Sequence, residues 1–175
     1  MKSTAQPINL KRLVYISVLI AMGIVLNVLE PNIFPIPGAK LGLANLVSLL
    51  GILWFGEVSG ILIAVFRSIL GSIFKGNLNI IPFGTSFLGG VFAAIFMALI
   101  YRFFKRYFSI IGISIAGGIA NNVAQFFFVL AVTRNTAFWY YLPVLVVLGG
   151  VSGAAIGLLA KLVYNKVNLR IDEKA

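Results

Sequence analysis

Residues 30–46 read EPNIFPIPGAKLGLANL and separate two strongly apolar runs of the chain. The stretch holds three prolines, two glycines, a glutamate and a lysine, in a sequence that is 61% hydrophobic. Because proline fixes φ and removes a backbone donor, the three prolines restrict the conformations of this loop. Two interpretations stay open: a rigid connection between two helices, or a lid over a pocket beneath the loop.

The apolar runs around this loop indicate a membrane protein. Only 10% of the 175 residues are charged, and the mean hydropathy is +1.06, whereas soluble domains carry roughly 25% charged residues. The bilayer is therefore the expected solvent. The net charge of +10 would also suit a nucleic-acid-binding protein. The cations lie at the ends of apolar runs, however, where membrane proteins need them, so we expect no nucleic-acid partner.

Six apolar runs predict an all-α polytopic membrane protein, with six transmembrane helices in one compact bundle. Short polar tails at residues 1–12 and 165–175 flank the transmembrane domain at residues 13–164. A membrane helix needs about 20 apolar residues, so the second run is short. In the fourth run, Pro82 and Gly84 predict a break before the helix. The predicted spans are Leu13–Leu29, Leu41–Phe55, Val58–Phe74, Thr85–Tyr101, Ile110–Val132 and Phe138–Tyr164.

The distribution of lysine and arginine predicts that both termini are cytoplasmic in a multi-pass protein of the cell membrane. With the N-terminus inside, ten basic residues lie in the inner segments and three in the outer ones. The three outer residues are Lys40, Lys75 and Arg134, and Arg67 is left within a span.

Arg67 lies in the middle of the third span, in the sequence IAVFRSILGSIF at residues 63–74. A charge at that depth costs about 2.5–3.5 kcal/mol on insertion scales, so Arg67 should face the interior of the bundle. Small and polar residues share its helical face, which predicts a polar stripe from mid-membrane to the outer side. The stripe consists of Gly60, Ala64, Arg67, Ser68, Gly71, Ser72 and Lys75.

A second polar stripe lies on the fifth span, where Asn121, Asn122 and Gln125 share a face with Ser114 and Gly118. Carboxamides in hydrocarbon need hydrogen-bond partners. Either they form interhelical hydrogen bonds that hold the bundle together, or they line a polar cavity that binds a solute. Asn27, Asn45 and Ser48 are further candidates for such a lining.

Glu30 ends the first span and has several possible roles. It pairs with Lys40 or Arg67, binds an amine of a substrate, or carries a proton.

Small residues at every fourth position predict close packing of the later helices. These stripes are Ser86, Gly90, Ala94 and Ala98; Ala116, Ala120 and Ala124; and Gly149, Gly153 and Gly157.

Several chemistries are excluded by composition. The chain has no cysteine and no histidine, so it cannot form a disulfide, a Ser-His-Asp triad or the usual zinc site. It also lacks the GxxxxGK[ST] motif, so any ATP drive must come from another protein. We therefore expect a protein that is not an enzyme, with no catalytic residue, metal or cofactor.

Four segments together resemble the Gx transporter family, which is often labelled heptaprenyl diphosphate synthase component I. They are EPNIFPIPGAKLGLANLVSLL, FRSILGSIFKGN, SFLGGVFAAIFM and GISIAGGIANNVAQ, and the resemblance covers residues 13 to 160. In fold, the family is similar to the substrate-binding S subunits of energy-coupling-factor (ECF) transporters of bacteria. The resemblance implies an uptake subunit in the bacterial inner membrane, with an outward-facing pocket that the first external loop gates. It also implies docking on an ECF transmembrane coupling subunit, with ATPase subunits, through small residues that match Ser17 and Ala21.

We therefore expect a substrate-binding transport protein for a small organic solute, which is anionic and vitamin-like or isoprenoid-related. One alternative is a scaffold or accessory subunit for prenyl or quinone synthesis. Such a subunit would be noncatalytic, because prenyl elongation needs magnesium on clustered aspartates and the only aspartate of this sequence is Asp172. Another is a solitary proton-coupled carrier that uses Glu30. The candidate solute-binding residues are Glu30, Lys40, Asn45, Arg67, Lys75, Asn121, Asn122 and Gln125.

Overall fold

The structure, a computed structural model, describes residues 10–30, 42–76 and 79–167. Lys40, the three prolines of the first loop and most of the two predicted tails lie outside these residues. The elements of the described part are helical: α1 (Leu10–Leu29), α2 (Asn45–Phe55), α3 (Glu57–Phe74), α4 (Ile80–Phe104), α5 (Ile110–Thr133), a 3-10 helix (Thr136–Tyr141) and α6 (Leu142–Lys166).

Successive helices run in opposite directions, which gives the bundle two ends. At one end, Arg12 of α1 donates a 2.6 Å hydrogen bond to the carbonyl of Phe55, where α2 ends. At the other, Lys75 donates to the carbonyl of Glu30, where α1 ends. We call the first the basic end, because α1 begins there and α4 and α6 end there with their cations, and the second the Glu30 end.

Five of the described helices are long and apolar enough to cross a membrane, and the exception is α2. With 11 residues, α2 is about 16 Å long, roughly half of the ~30 Å hydrocarbon core. It is enclosed by α1, α3, α4, α5 and α6, and Val47, Leu49 and Ile52 have no exposed surface. It is therefore a core helix of the bundle, shorter than the predicted span. Because it leads from the Glu30 end to the basic end, the sixth crossing of the membrane stays a prediction.

The predicted break before the fourth span is wrong. The helix α4 begins at Ile80, five residues before the predicted start at Thr85, and runs through Pro82 and Gly84. Pro82 is the third helical residue, and the N–H groups of the first turn have no intrahelical acceptor, so a proline is tolerated there. Gly84 lies directly against the ring of Phe128, which leaves no room for a side chain.

The predicted sixth span is part of one segment that is apolar enough to cross a membrane, Phe138–Lys166, but its helix type changes along the segment. Residues up to Tyr141 form the 3-10 helix, and α6 begins at Leu142 with a proline in its first turn. Proline is favourable there because its fixed φ suits the start of a helix. The other differences are small: α1 begins at Leu10, three residues before the predicted start, and α3 and α5 agree with the predicted spans within one residue.

The small-residue stripes have two different fates. On α6, Gly149, Gly153 and Gly157 pack against the backbone of α5, and a Cβ on Gly153 would lie 2.7 Å from the carbonyl oxygen of Ser114. On α5, the stripe that begins at Ala116 instead lines an open groove beside α4. The prediction of close packing is confirmed for the stripe of α6 and wrong for the stripe of α5. On α4, Gly90, Ala94 and Ala98 of the remaining stripe are buried.

Candidate functional site

The polar stripe of α3 faces the interior, as the sequence predicted. Arg67 is only 3% exposed, and Ser68 and Ser72 beside it are also buried. This face of α3 packs against α1, α2 and α4. A charged side chain is thereby held within the bundle, away from lipid.

Arg67 is held by neutral groups of α2. Its Nε donates to Oγ of Ser48 at 3.0 Å, and its Nη2 donates to Oδ1 of Asn45 at 2.6 Å. Within the described residues, no carboxylate lies within ion-pairing distance of the guanidinium, so the predicted pair with Glu30 is not formed. A buried cation that forms no ion pair is strongly unfavourable, so Arg67 is a candidate for a functional role.

Glu30, at the end of α1, is hydrogen-bonded to the residues that lead into α2. Its carboxylate is buried and accepts hydrogen bonds from the backbone N–H groups of Gly42 and Leu43, the latter at 3.2 Å. Gly42 has φ +72°, a left-handed conformation that favours glycine. The carboxylate thus caps the turn that leads into α2. The predicted alternative, a pair with Lys40, lies outside the described residues.

Lys75 stabilises the end of α1. Its Nζ donates to the carbonyls of Asn27 at 3.3 Å and of Glu30 at 3.0 Å. The last carbonyls of a helix have no intrahelical donor, and a cation there is favourable for the helix dipole. This geometry gives Lys75 a structural contact, and its role in solute binding stays a prediction.

The carboxamides of α5 divide between the two predicted roles. Asn122 donates to the carbonyl of Leu145 at 3.0 Å and so joins α5 to α6. Its Oδ1 accepts from Nδ2 of Asn121 at 3.2 Å. Asn121 and Gln125 themselves line a polar cavity with Arg67. Asn122 does not line that cavity, so its predicted contact with a solute is untested.

The cavity, which we call the Arg67 cavity, lies in the Glu30 half of the bundle between α1, α2, α3, α4 and α5. Its volume is about 10 Å³, close to the minimum that one water molecule needs. Five of the predicted residues with described side chains face it, from three helices and the end of α1. Its lining consists of Asn27, Glu30, Gly42, Ala44, Asn45, Arg67, Ser86, Gly90, Asn121 and Gln125.

Three buried polar atoms of residues in or next to the Arg67 cavity have no hydrogen-bond partner within the described part of the chain. They are Nδ2 of Asn45, Oγ of Ser68 and Oε1 of Gln125. Each such atom costs on the order of 1–3 kcal/mol. Asn45 and Gln125 both line the Arg67 cavity, so donors and acceptors with unused capacity surround the buried cation.

Two adjacent glycines of α4 complete the site, and sequence reasoning did not assign them to it. A Cβ on Gly90 would lie 3.1 Å from Nη2 of Arg67, and one on Gly89 would lie 2.7 Å from Oδ1 of Asn121. The absence of side chains lets these polar ends lie against the helix backbone. The sequence SFLGGVF indicates such a contact, because two glycines in a helix interior are unfavourable unless another group packs closely against the helix backbone.

The predicted docking residues lie on the outer surface of α1. Ser17 and Ala21 are exposed, whereas Leu19, Gly23 and Asn27 on the other face of the helix are buried. The small side chains therefore face away from the bundle, and their docking role stays a prediction.

Comparisons with known proteins show the fold and the family of the chain. The fold is similar to that of the S component of a bacterial ECF transporter, with a TM-score of 0.67 and 23% sequence identity over 89% of this chain and 94% of that chain. No curated protein matches the sequence. The model of the family described as heptaprenyl diphosphate synthase component I matches residues 19–163. Since that match covers most of the chain, the protein belongs to this family, which is the one that the resemblance to Gx transporters indicated.

Proposed function

We propose that the protein is an integral membrane substrate-binding protein that mediates uptake of a small organic solute, which it binds at the Arg67 cavity. The observation that carries the proposal is the buried Arg67, with no carboxylate within ion-pairing distance among the described residues. Unpartnered polar atoms of Asn45 and Gln125 face the same space. The similarity in fold to an S component supports the same function.

The charge of the site favours a solute with an anionic group. The carboxylate of Glu30 is already bound by two backbone N–H groups, and Lys75 is bound by two carbonyls. Arg67 is therefore a buried cation whose hydrogen-bond partners are neutral, with Glu30 as the described carboxylate on the same cavity. A guanidinium binds carboxylate and phosphate with charge-assisted hydrogen bonds, so either group fits. A vitamin- or isoprenoid-related solute would carry such a group together with an apolar part.

The volume of the cavity requires a conformational change before a solute can bind. A space of about 10 Å³ is far below the roughly 300 Å³ of ordinary small-molecule sites. The described groups nearest the Glu30 end are Glu30, Gly42 and Ala44. Binding is therefore expected to separate the end of α1 from the start of α2, where Glu30 now joins them.

The energy for uptake comes, in this proposal, from partner proteins. The sequence has no P-loop motif, and the exposed Ser17 and Ala21 offer a surface on which a membrane coupling subunit can dock. That subunit would connect the protein to ATPase subunits. We place both termini in the cytoplasm, which puts the Arg67 cavity in the outer half of the membrane.

The family description favours one second candidate, an accessory subunit for prenyl diphosphate synthesis. Within the described residues the carboxylates are Glu30 and Glu57, at opposite ends of the bundle. Magnesium bound to a diphosphate needs clustered carboxylates, so such a subunit would be noncatalytic. It would bind a synthase whether or not Arg67 is present.

A ligand screen tests the proposal. Purified protein is titrated by thermal shift with small carboxylates, phosphates and their neutral analogues, drawn from vitamins, quinone precursors and prenyl phosphates. We expect anionic solutes to raise the melting temperature and Arg67→Gln to abolish that shift. Arg134→Gln is the matched control, because Arg134 is exposed near the Glu30 end and does not line the cavity. Equal losses in both variants, or an intact response in Arg67→Gln, would contradict the assignment.

A further inference from the structure

An apolar groove of about 820 Å³ runs along the outer surface between α4 and α5. We call it the α4–α5 groove. Its floor is formed by Ala116, Ala120 and Ala124 of α5, and rings of Phe92 and Phe96 from α4 and of Phe127 from α5 form its walls. Methyl groups between large rings leave a furrow, and the side chains of the described residues do not fill it.

The groove ends near the basic end of the bundle. Its last lining residue on α4 is Ile100, and on α5 it is Ala116. Arg102 and Arg106 follow Ile100 within six residues. Ala116 lies two turns from the start of α5 at Ile110, where the helix dipole adds positive potential. An apolar furrow therefore leads to a cluster of positive charge.

Arg102 lies in the last turn of α4, and Arg106 follows the end of that helix at Phe104. Phe103 follows the wall residue Phe96 by seven residues, about two helical turns, so its ring continues that wall toward the basic end. The guanidinium of Arg102 lies over the ring of Phe103 at 5.8 Å. Lys105 lies away from this wall, because its Nζ lies over the ring of Tyr101 at 6.0 Å, and Tyr101 packs against the buried core.

We propose that the α4–α5 groove binds one acyl chain of an anionic phospholipid, whose phosphate is held by Arg102 and Arg106. The groove extends from Ala116 to Ala131, about 22 Å along the helix axis. That length exceeds one leaflet, roughly half of the ~30 Å hydrocarbon core, so the chain fits within it. Basic residues between transmembrane helices hold anionic lipid headgroups in this manner. The site is separate from the Arg67 cavity and does not depend on solute binding.

A competition experiment tests the headgroup contact. The full-length protein in detergent is incubated with equal amounts of phosphatidylglycerol and phosphatidylcholine, and bound lipids are counted by native mass spectrometry. We expect a roughly 25-fold excess of phosphatidylglycerol, since each of the two arginines near the headgroups contributes a factor of about five. The Arg102→Gln/Arg106→Gln double variant should bind both lipids equally. The Lys105→Gln/Lys161→Gln double variant, which removes the same charge elsewhere at the basic end, should keep the preference.

A second variant tests the acyl-chain contact. Ala120→Phe places a ring on the floor of the groove and should lower the number of both bound lipids at least fivefold. If Ala120→Phe is not monodisperse in gel filtration, Ala120→Leu serves the same purpose. The proposal is overturned if both charge variants lose the preference equally, or if filling the groove leaves lipid binding unchanged. It is also overturned if the protein is a dimer that Ala120→Phe dissociates without loss of lipid, because the groove is then a protein interface.

Discussion

A hydrogen bond of 2.6 Å joins Nη2 of Arg67 to Oδ1 of Asn45 in the buried interior of the bundle. Asn45 is the first residue of α2, so the bond holds the guanidinium beside the N-terminus of that helix. A helix N-terminus carries partial positive charge and favours anions. Two positive features thus converge on one small cavity, where Glu30, bound to the N–H groups of Gly42 and Leu43, is the described carboxylate. An anionic solute in this cavity would contact the guanidinium directly, which Glu30 does not.

The first prediction concerns Asn45. Asn45→Asp supplies a carboxylate in hydrogen-bond reach of Arg67, so the cation is neutralised from within. We expect anion binding to weaken at least tenfold, since a charge-assisted hydrogen bond is worth about 1.5–3 kcal/mol, while the melting temperature without ligand is kept or raised. Thermal shift and isothermal titration measure the two quantities. Asn45→Ala is the control for the structural contribution of the hydrogen bond and should lower stability. Unchanged anion affinity in Asn45→Asp would falsify the anion site.

The second prediction concerns the space beside the carboxamides. A Cβ on Gly89 would lie 2.6 Å from Nε2 of Gln125 and 2.7 Å from Oδ1 of Asn121. Gly89→Ala should therefore displace both side chains and lower the free energy of unfolding by about 1–3 kcal/mol, the usual cost of overpacking. Solute affinity should fall with it.

Gly150→Ala is the matched control for Gly89→Ala, because its Cβ would meet only Cδ1 of Ile119 at 4.0 Å. It should be neutral or stabilise the helix by up to about 1 kcal/mol. Denaturant unfolding in detergent measures both variants. Equal effects of the two substitutions would mean that Gly89 does not hold the polar side chains in place.

The polar interior was predictable from the sequence because it follows from energy alone. A charge at the middle of an apolar run must turn inward, and Arg67 does so. The same argument placed Asn121 and Gln125 inside. The hydrogen-bond partner of each polar group was not predictable. Glu30, for example, accepts from backbone N–H groups at the far end of the first loop. Such pairings depend on how helix ends meet in three dimensions.

The errors in the fold also have physical reasons. Pro82 suggested a break, but a proline in the first helical turn removes no intrahelical hydrogen bond. The alanine stripe at Ala116 predicts a packing face, because small residues show the same sequence pattern whether they pack against a helix or line a groove. The enclosure of α2 was also not predictable, because an apolar segment has the same sequence pattern whether its helix faces lipid or is enclosed by five other helices.

The third prediction concerns Lys75 and the end of α1. Lys75→Gln removes a cation that donates to the carbonyls of Asn27 and Glu30. We expect a loss of about 1–2 kcal/mol in the free energy of unfolding, the range for a partly buried charge at a helix C-terminus. Lys161→Gln, on the exposed surface of α6, should change stability by less than about 0.5 kcal/mol. If the two variants unfold alike, the contact does not stabilise α1.

The fourth prediction separates docking from solute binding. Ser17 and Ala21 are exposed on α1 and lie far along the helix from Glu30. The double variant Ser17→Leu/Ala21→Leu adds bulk where a partner helix needs close approach, so the complex with a coupling subunit should be lost. Because neither residue touches the Arg67 cavity, the thermal shift caused by an anionic solute should stay unchanged. Co-purification of ATPase subunits from native membranes measures the first effect.

The control for this prediction is Val151→Leu, at a position on α6 that is 65% exposed, which should keep the complex. Retained complexes in the double variant would place the coupling surface elsewhere, and a lost solute response would mean that the substitution distorts the bundle.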